Sequence, residues 1–179
     1  MYVQDYDETL PFSAYMSGSC VATFYWEVAP YVKNDQVTQC PSEPQAMQLQ
    51  ALVGAPCANT PAYTSYSVNP AVFRNGFFPG VTGVSLALIG RSAETAMSYD
   101  GNVMPGGSAG QQVQIVQARH SSTFNTNFVD GHAKAIQATL FGSANQFTVF
   151  GPGRKLDVFK IGANGGFYAN MTECNGIPQ

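Results

Sequence analysis

Hydrophobic residues change their spacing several times along this chain, and each change predicts an element. In the opening MYVQDYDETLPF, Tyr2, Val3 and Tyr6 stand at helical spacing until Pro11 ends the pattern. No capping residue precedes them, so residues 1–10 read as the end of an N-terminal helix entered from upstream. A Ser/Gly loop over 12–20 follows. VATFYWEVAPYVKN (21–34) predicts a short helix interrupted at Pro30, with Phe24, Trp26 and Tyr31 available for packing. EPQAMQLQALVG predicts a second short helix closed by Gly54. Beyond it the period shortens. YTSYSVNPAVF (63–73) alternates as a strand does, and residues 84–101 predict a buried strand or turn, then a strand closed by Asp100-Gly101. The glycines of 101–112 predict a surface loop, and QVQIVQARH a strand with Val113 and Ile115 on one face. The last forty residues alternate short apolar runs with Gly-rich turns, which predicts further short strands. A helix first and antiparallel strands afterwards is an α+β arrangement, here one domain over 1–179.

The sharpest local signal is RHSSTFNTNFVDGHAKAI, residues 119–136. Asp-Gly between alternating runs predicts a β-hairpin, because both positions of a type I′ turn need positive φ, which Asp tolerates and Gly accepts freely. With Asp130-Gly131 as a two-residue loop, Val129 faces His132, Phe128 faces Ala133 and Thr126 faces Ala135. Phe124, Thr126, Phe128, Ala133 and Ala135 then share a face suited to a core. Asn125, Asn127, His132 and Lys134 share the wetter one.

Charge changes the picture mainly by its scarcity. Only 11% of residues are charged, the net charge is −3, and the eight basic residues are scattered, so no patch for nucleic-acid phosphates exists. No signal peptide or membrane-spanning run is present, which for an exported protein implies a processed or trimmed product. The four cysteines Cys20, Cys40, Cys57 and Cys174 show no C-x-x-C spacing, which argues against a zinc site. An even number in a charge-poor, Gly/Asn/Thr-rich chain fits two disulfides in an oxidising compartment, with free buried thiols as the alternative. Three pairings are open; the one expected is Cys40–Cys57, closing the Pro-rich segment, with Cys20–Cys174 holding the C-terminal tail.

His120, Asp130 and His132 raise the question of metal binding or acid–base chemistry. A hairpin explains the same residues without chemistry, and no Glu or Cys stands near them in sequence to complete a site. The expectation is therefore structural: His120 hydrogen-bonds a loop or carboxylate and fixes the hairpin, with no catalytic residue, no metal and no cofactor. Asp100, Asp130 and Asp157 abut turns, but no oxygen-rich run suggests a calcium loop. Asn170-Met171-Thr172 is a formal glycosylation sequon.

Three segments, in order, carry a family resemblance: YVQDYDETLP (2–11), WEVAPYVKNDQVTQCPS (26–42) and RHSSTFNTNFVDGHAK (119–134), with looser echoes in SYSVN and SAETAMSYDG. The chain resembles bacterial pilin-like proteins with a prepilin-type cleavage and methylation segment and a His-X9-Asp-Gly element, here His120, Asp130 and Gly131. The resemblance implies an N-terminal helix packed on an antiparallel sheet, export, and non-catalytic assembly into type IV pilus-like or type II secretion pseudopilus-like filaments on the cell surface. It implies self-association, with other pilin-like subunits as further partners, and membrane contact only through a hydrophobic N-terminal segment that this sequence does not include. A monomeric surface module binding a glycan or a protein is the alternative.

Overall fold

The computed structural model describes residues 2–43, 46–69, 72–77, 79–90, 92–105, 112–116, 119–121, 123–137 and 147–148. The chain is α+β. A short helix α1 (Tyr2–Asp5) leads into a hairpin of β1 (Ala14–Ser17) and β2 (Cys20–Thr23). Helix α2 (Phe24–Val28) follows at once, capped by the Thr23 side chain, which accepts from the Trp26 amide, and Pro30 turns the chain into a 3-10 helix at Ala29–Tyr31. The apolar run at 21–34 is thus part strand and part helix: pairing with β1 claims Val21–Thr23. Strand β3 (Met47–Gln48) and helix α3 (Leu49–Val53) come next, and Gly54, at φ +79°, ends α3 as expected. Strand β4 (Tyr63–Thr64) pairs with β3, and β5 (Tyr66–Val68) begins the main sheet.

That sheet is antiparallel throughout and centres on the long strand β6 (Ala96–Pro105). Its first half pairs with β5 and with β8 (Thr123–Phe128); its second half pairs with β7 (Gln112–Val116). Strands β9 (Ala133–Gln137) and β10 (Phe147–Thr148) flank β8 and β7. One expectation fails here: Asp100-Gly101 does not close a strand, because the Gly101 amide bonds the Ser65 carbonyl and Gly101 pairs with Val116, carrying β6 onward. Of the strand or turn expected in residues 84–90, the structure has the turn, a 3-10 helix at Leu86–Leu88.

The Asp-Gly hairpin is present, with a register one residue from the expected one: Asn127 faces Ala133 and Thr126 faces Lys134. Its loop has three residues, not two. The Gly131 amide bonds the Phe128 carbonyl, Gly131 sits at φ +93°, and the Phe128 amide bonds the His132 carbonyl, a type I turn followed by a glycine bulge. A one-residue slip exchanges the faces of one strand. Phe124, Thr126 and Phe128 are buried as expected, but Ala133 and Ala135 are exposed, and the His132 ring stacks on Phe128.

The core gathers Leu10, Val68, Val72, Phe73, Val84 and Ile89, with Val3, Phe24, Met97 and Val129 packed against it. Val3 thereby docks the end of α1 on this core. The Tyr2 hydroxyl donates to Glu27 and Tyr31 donates to Asp5, binding α1 to the α2 region. Burial pushes the Glu27 carboxyl above its ordinary value, against the pull of the tyrosine hydrogen bonds.

The disulfide pairing differs from expectation. Cys20 is joined to Cys57, with Cα atoms 4.9 Å apart, and Cys40 is a buried free thiol. The reason lies in the backbone: the Val21 amide bonds the Ala55 carbonyl and the Cys57 amide bonds the Val21 carbonyl, so β2 and residues 55–57 run side by side. Cys40 lies elsewhere, against the main sheet. Cys174, Asn170, Asp157 and the short strands expected beyond residue 148 lie outside the described residues, as do the side chains of Val113 and Ile115. Among the described residues no helix is long and apolar enough to cross a membrane.

Candidate functional site

The residues with chemical capacity converge where β6 meets the turn before β8. Asp100, in mid β6, is 1% exposed. Its Oδ2 accepts from the Asn125 amide at 2.7 Å and from Asn125 Nδ2 at 3.1 Å, which prolongs the β6–β8 pairing past its last backbone partners, Tyr99 and Thr126. His120 is held by a tight reversal, with amide–carbonyl bonds in both directions between His120 and Thr123 and Ser121 at φ +53°. That reversal aims His120 Nε2 back at Asp100 Oδ2, 3.3 Å away. Asp100 is thus the carboxylate partner expected in general terms for His120. His120 and Asp130 are not brought together by any contact.

The third member is Cys40, eighty residues from His120. Its Sγ lies 3.5 Å from the same Nε2, and the donor atoms of Cys40, Asp100 and His120 all lie within 4.8 Å of one another. No thiol stands near His120 in the sequence; the fold supplies one. A buried ion pair braces both approaches. Glu43, whose amide bonds the Cys40 carbonyl, meets Arg119, the residue before His120, at 3.4 Å with both side chains about 5% exposed or less. Arg119 also donates to the Ser65 carbonyl, which takes the Gly101 amide as well, while the Ser65 amide bonds Thr38. Ser65 therefore ties the Cys40 segment, the His120 turn and β6 together. In a chain so poor in charge, a Glu three residues after Cys40 and an Arg beside His120 were the available sequence signal.

This geometry is not a nucleophile–base–orienter chain. Such a chain needs the nucleophile at one ring nitrogen and the orienting carboxylate at the other. Here thiol and carboxylate face the same Nε2.

The second histidine stands apart. His132 Nδ1 is 2.6 Å from Asp130 Oδ1, and because a carboxylate only accepts, Nδ1 carries the proton. The His132 amide donates to the same oxygen at 3.2 Å. The imidazole hydrogen bond first, and the amide second, hold the Asp130 carboxyl below its ordinary value. A carboxyl depressed in the folded state contributes stability above its unfolded pKa and loses it as pH falls through the folded one. Both groups are exposed, so the effect on stability is small. An NMR titration of His132→Ala is expected to raise Asp130 part of the way towards an ordinary carboxylate value, since the backbone amide of residue 132 still donates to it; an unchanged value refutes the pairing.

A cavity of about 410 Å³ opens beside the cluster, walled by Phe24, Tyr25, Val28, Val32, Pro61 and Tyr66.

No protein-family model, curated protein or solved structure matches the chain.

Proposed function

We propose that the chain is a bacterial pilin-like subunit, a non-catalytic building block of a pilus-like or pseudopilus-like filament outside the cell. One observation carries this reading. The order of parts is a helix end docked by Val3 on the apolar core, then an antiparallel sheet, with the His-X9-Asp-Gly element folded as the ribbon beside the central strand. Each residue of that element has a fold-building contact: His120 reaches back to Asp100, Asp130 bonds the amide and ring of His132, and Gly131 supplies the bulge. The Cys20–Cys57 disulfide suits an oxidising compartment. A surface with few charges has little self-repulsion between copies, and head-to-tail contacts that do not close build filaments. The test is electron microscopy of filaments sheared from cells, with cross-linking mass spectrometry on the fraction. Peptides of this chain cross-linked between copies are expected there; recovery only as a monomer overturns the proposal.

The cavity beside Tyr25 and Tyr66 favours a second reading, a surface module that binds a partner molecule in this cleft. Its mark is a monomer that retains a ligand, with binding lost in Tyr66→Ala.

A further inference from the structure

We propose that Cys40, Asp100 and His120 form a binding site for a zinc-class divalent ion. The inference stands on the cluster alone, whether or not the chain builds filaments.

Three observations carry it. First, the spacing of His120 Nε2 to each of the other two donors fits, and all three donor atoms lie within 4.8 Å of one another. Donor atoms about 2.0–2.3 Å from one tetrahedral ion stand about 3.3–3.6 Å from each other. Nε2 to Oδ2 is 3.3 Å and Nε2 to Sγ is 3.5 Å. Second, both the Cys40 thiol and the Asp100 carboxylate address Nε2, which carries at most one proton, so without an ion the two share or compete for a single hydrogen-bonding position. A cation between the three atoms satisfies all of them, with the imidazole as neutral ligand and Cys40 as thiolate. Third, Asp100 is 1% exposed and its Oδ1 has no hydrogen-bond partner among the described residues. A buried carboxylate with an idle oxygen is costly unless positive charge lies close by. Arg119, the residue before His120, is engaged by Glu43 and Ser65.

The donor set selects the metal. Thiolate, imidazole and carboxylate suit zinc and its neighbours, while calcium and magnesium take oxygen ligands. Three protein donors leave a fourth position for water, and the partly exposed His120 side of the cluster gives solvent access to it. The surroundings have the rigidity such a site needs: Asn125 fixes Asp100, Thr123 fixes the His120 backbone, and the Glu43–Arg119 pair locks the two approaches. The ion cross-links residue 40 to the central strand and to the turn before the hairpin. It also gives the unpaired thiol a role, as a ligand, in a chain whose other described cysteines are oxidised.

The experiment uses the purified chain, stripped with a chelator and kept under anaerobic conditions without reductant so that Cys40 stays a thiol, with Cys20–Cys57 shown intact by mass mapping. Zinc titration by calorimetry is expected to show one equivalent bound, with calcium and magnesium giving no heat. Cobalt is expected to give a sulfur-to-metal charge-transfer band. Cys40→Ser and His120→Gln are each expected to weaken zinc by at least about 100-fold, beyond the 10–100-fold typical of losing a supporting group. His132→Ala, away from the cluster, leaves affinity unchanged. Should Cys40→Ser fail to fold, His120→Gln and one readout on the wild-type chain decide: zinc slows alkylation of Cys40, located by peptide mapping. A dissociation constant above about 1 mM overturns the proposal, as does binding lost with His132 rather than His120. So does a native disulfide engaging Cys40.

Discussion

Asp100→Ala, measured by urea unfolding with chelator present, is expected to lower stability by about 3 kcal/mol, with an unchanged dependence on denaturant. Two effects oppose each other. Removing a buried carboxylate whose Oδ1 has no hydrogen-bond partner among the described residues relieves some desolvation. Against that, the variant loses two hydrogen bonds from Asn125 to a charged acceptor, each contributing about 1.5–3 kcal/mol, and leaves His120 facing a void. The loss wins, because the Asn125 amide belongs to a strand whose backbone pairing with β6 begins only at the next residue, Thr126. Asp100→Asn keeps an acceptor for that amide and is expected to cost about 1 kcal/mol. For a chain of this length, the Ala variant should melt lower by about 10 °C. A loss below about 1 kcal/mol would show that Asp100 does not organise the turn and the hairpin. The chelator makes this a test of the protein's own contacts, separate from any metal.

Patterns of local origin were legible in the sequence. The α+β order, the end of α3 at Gly54, the burial of Phe124, Thr126 and Phe128 and the existence of the hairpin all follow from spacing and turn chemistry within a few residues. What was misread depends on contacts from elsewhere or on competition between nearly equal local options. Asp130-Gly131 is compatible with a two-residue or a three-residue loop. The His132 amide and ring bonding Asp130, and the His132 ring on Phe128, favour the longer one and move the register by one. Asp100-Gly101 carries the same turn signal, yet Ser65 and Val116 draw it into β6. Cys40 meets His120 only because Ser65, Glu43 and Arg119 fold their segments together. No window of the sequence contains that meeting. The expected pairing of Cys40 with Cys57 failed for the same reason: nearness along the chain outweighed the unseen alignment of β2 with residues 55–57.

That alignment sets the size of the second large effect. The double variant Cys20→Ser/Cys57→Ser is expected to be less stable by about 4 kcal/mol, the loop-closure entropy for a separation of 37 residues, and to melt lower by about 10 °C. The backbone bonds Val21 to Ala55 and Cys57 to Val21 hold the two segments in place without the sulfur bridge. The folded state should therefore keep its far-ultraviolet circular dichroism, and the loss should come through a freer unfolded chain. A dithiol reductant acting on the wild-type chain should reproduce the shift. Cys40→Ser, measured with chelator present, has no such loop to release and should cost far less, since a buried thiol there packs as a small apolar group. Equal losses from the two changes would mean that Cys40 also holds a covalent partner. That outcome would remove the free thiol on which the metal site depends, and peptide mapping under non-reducing conditions distinguishes the cases directly.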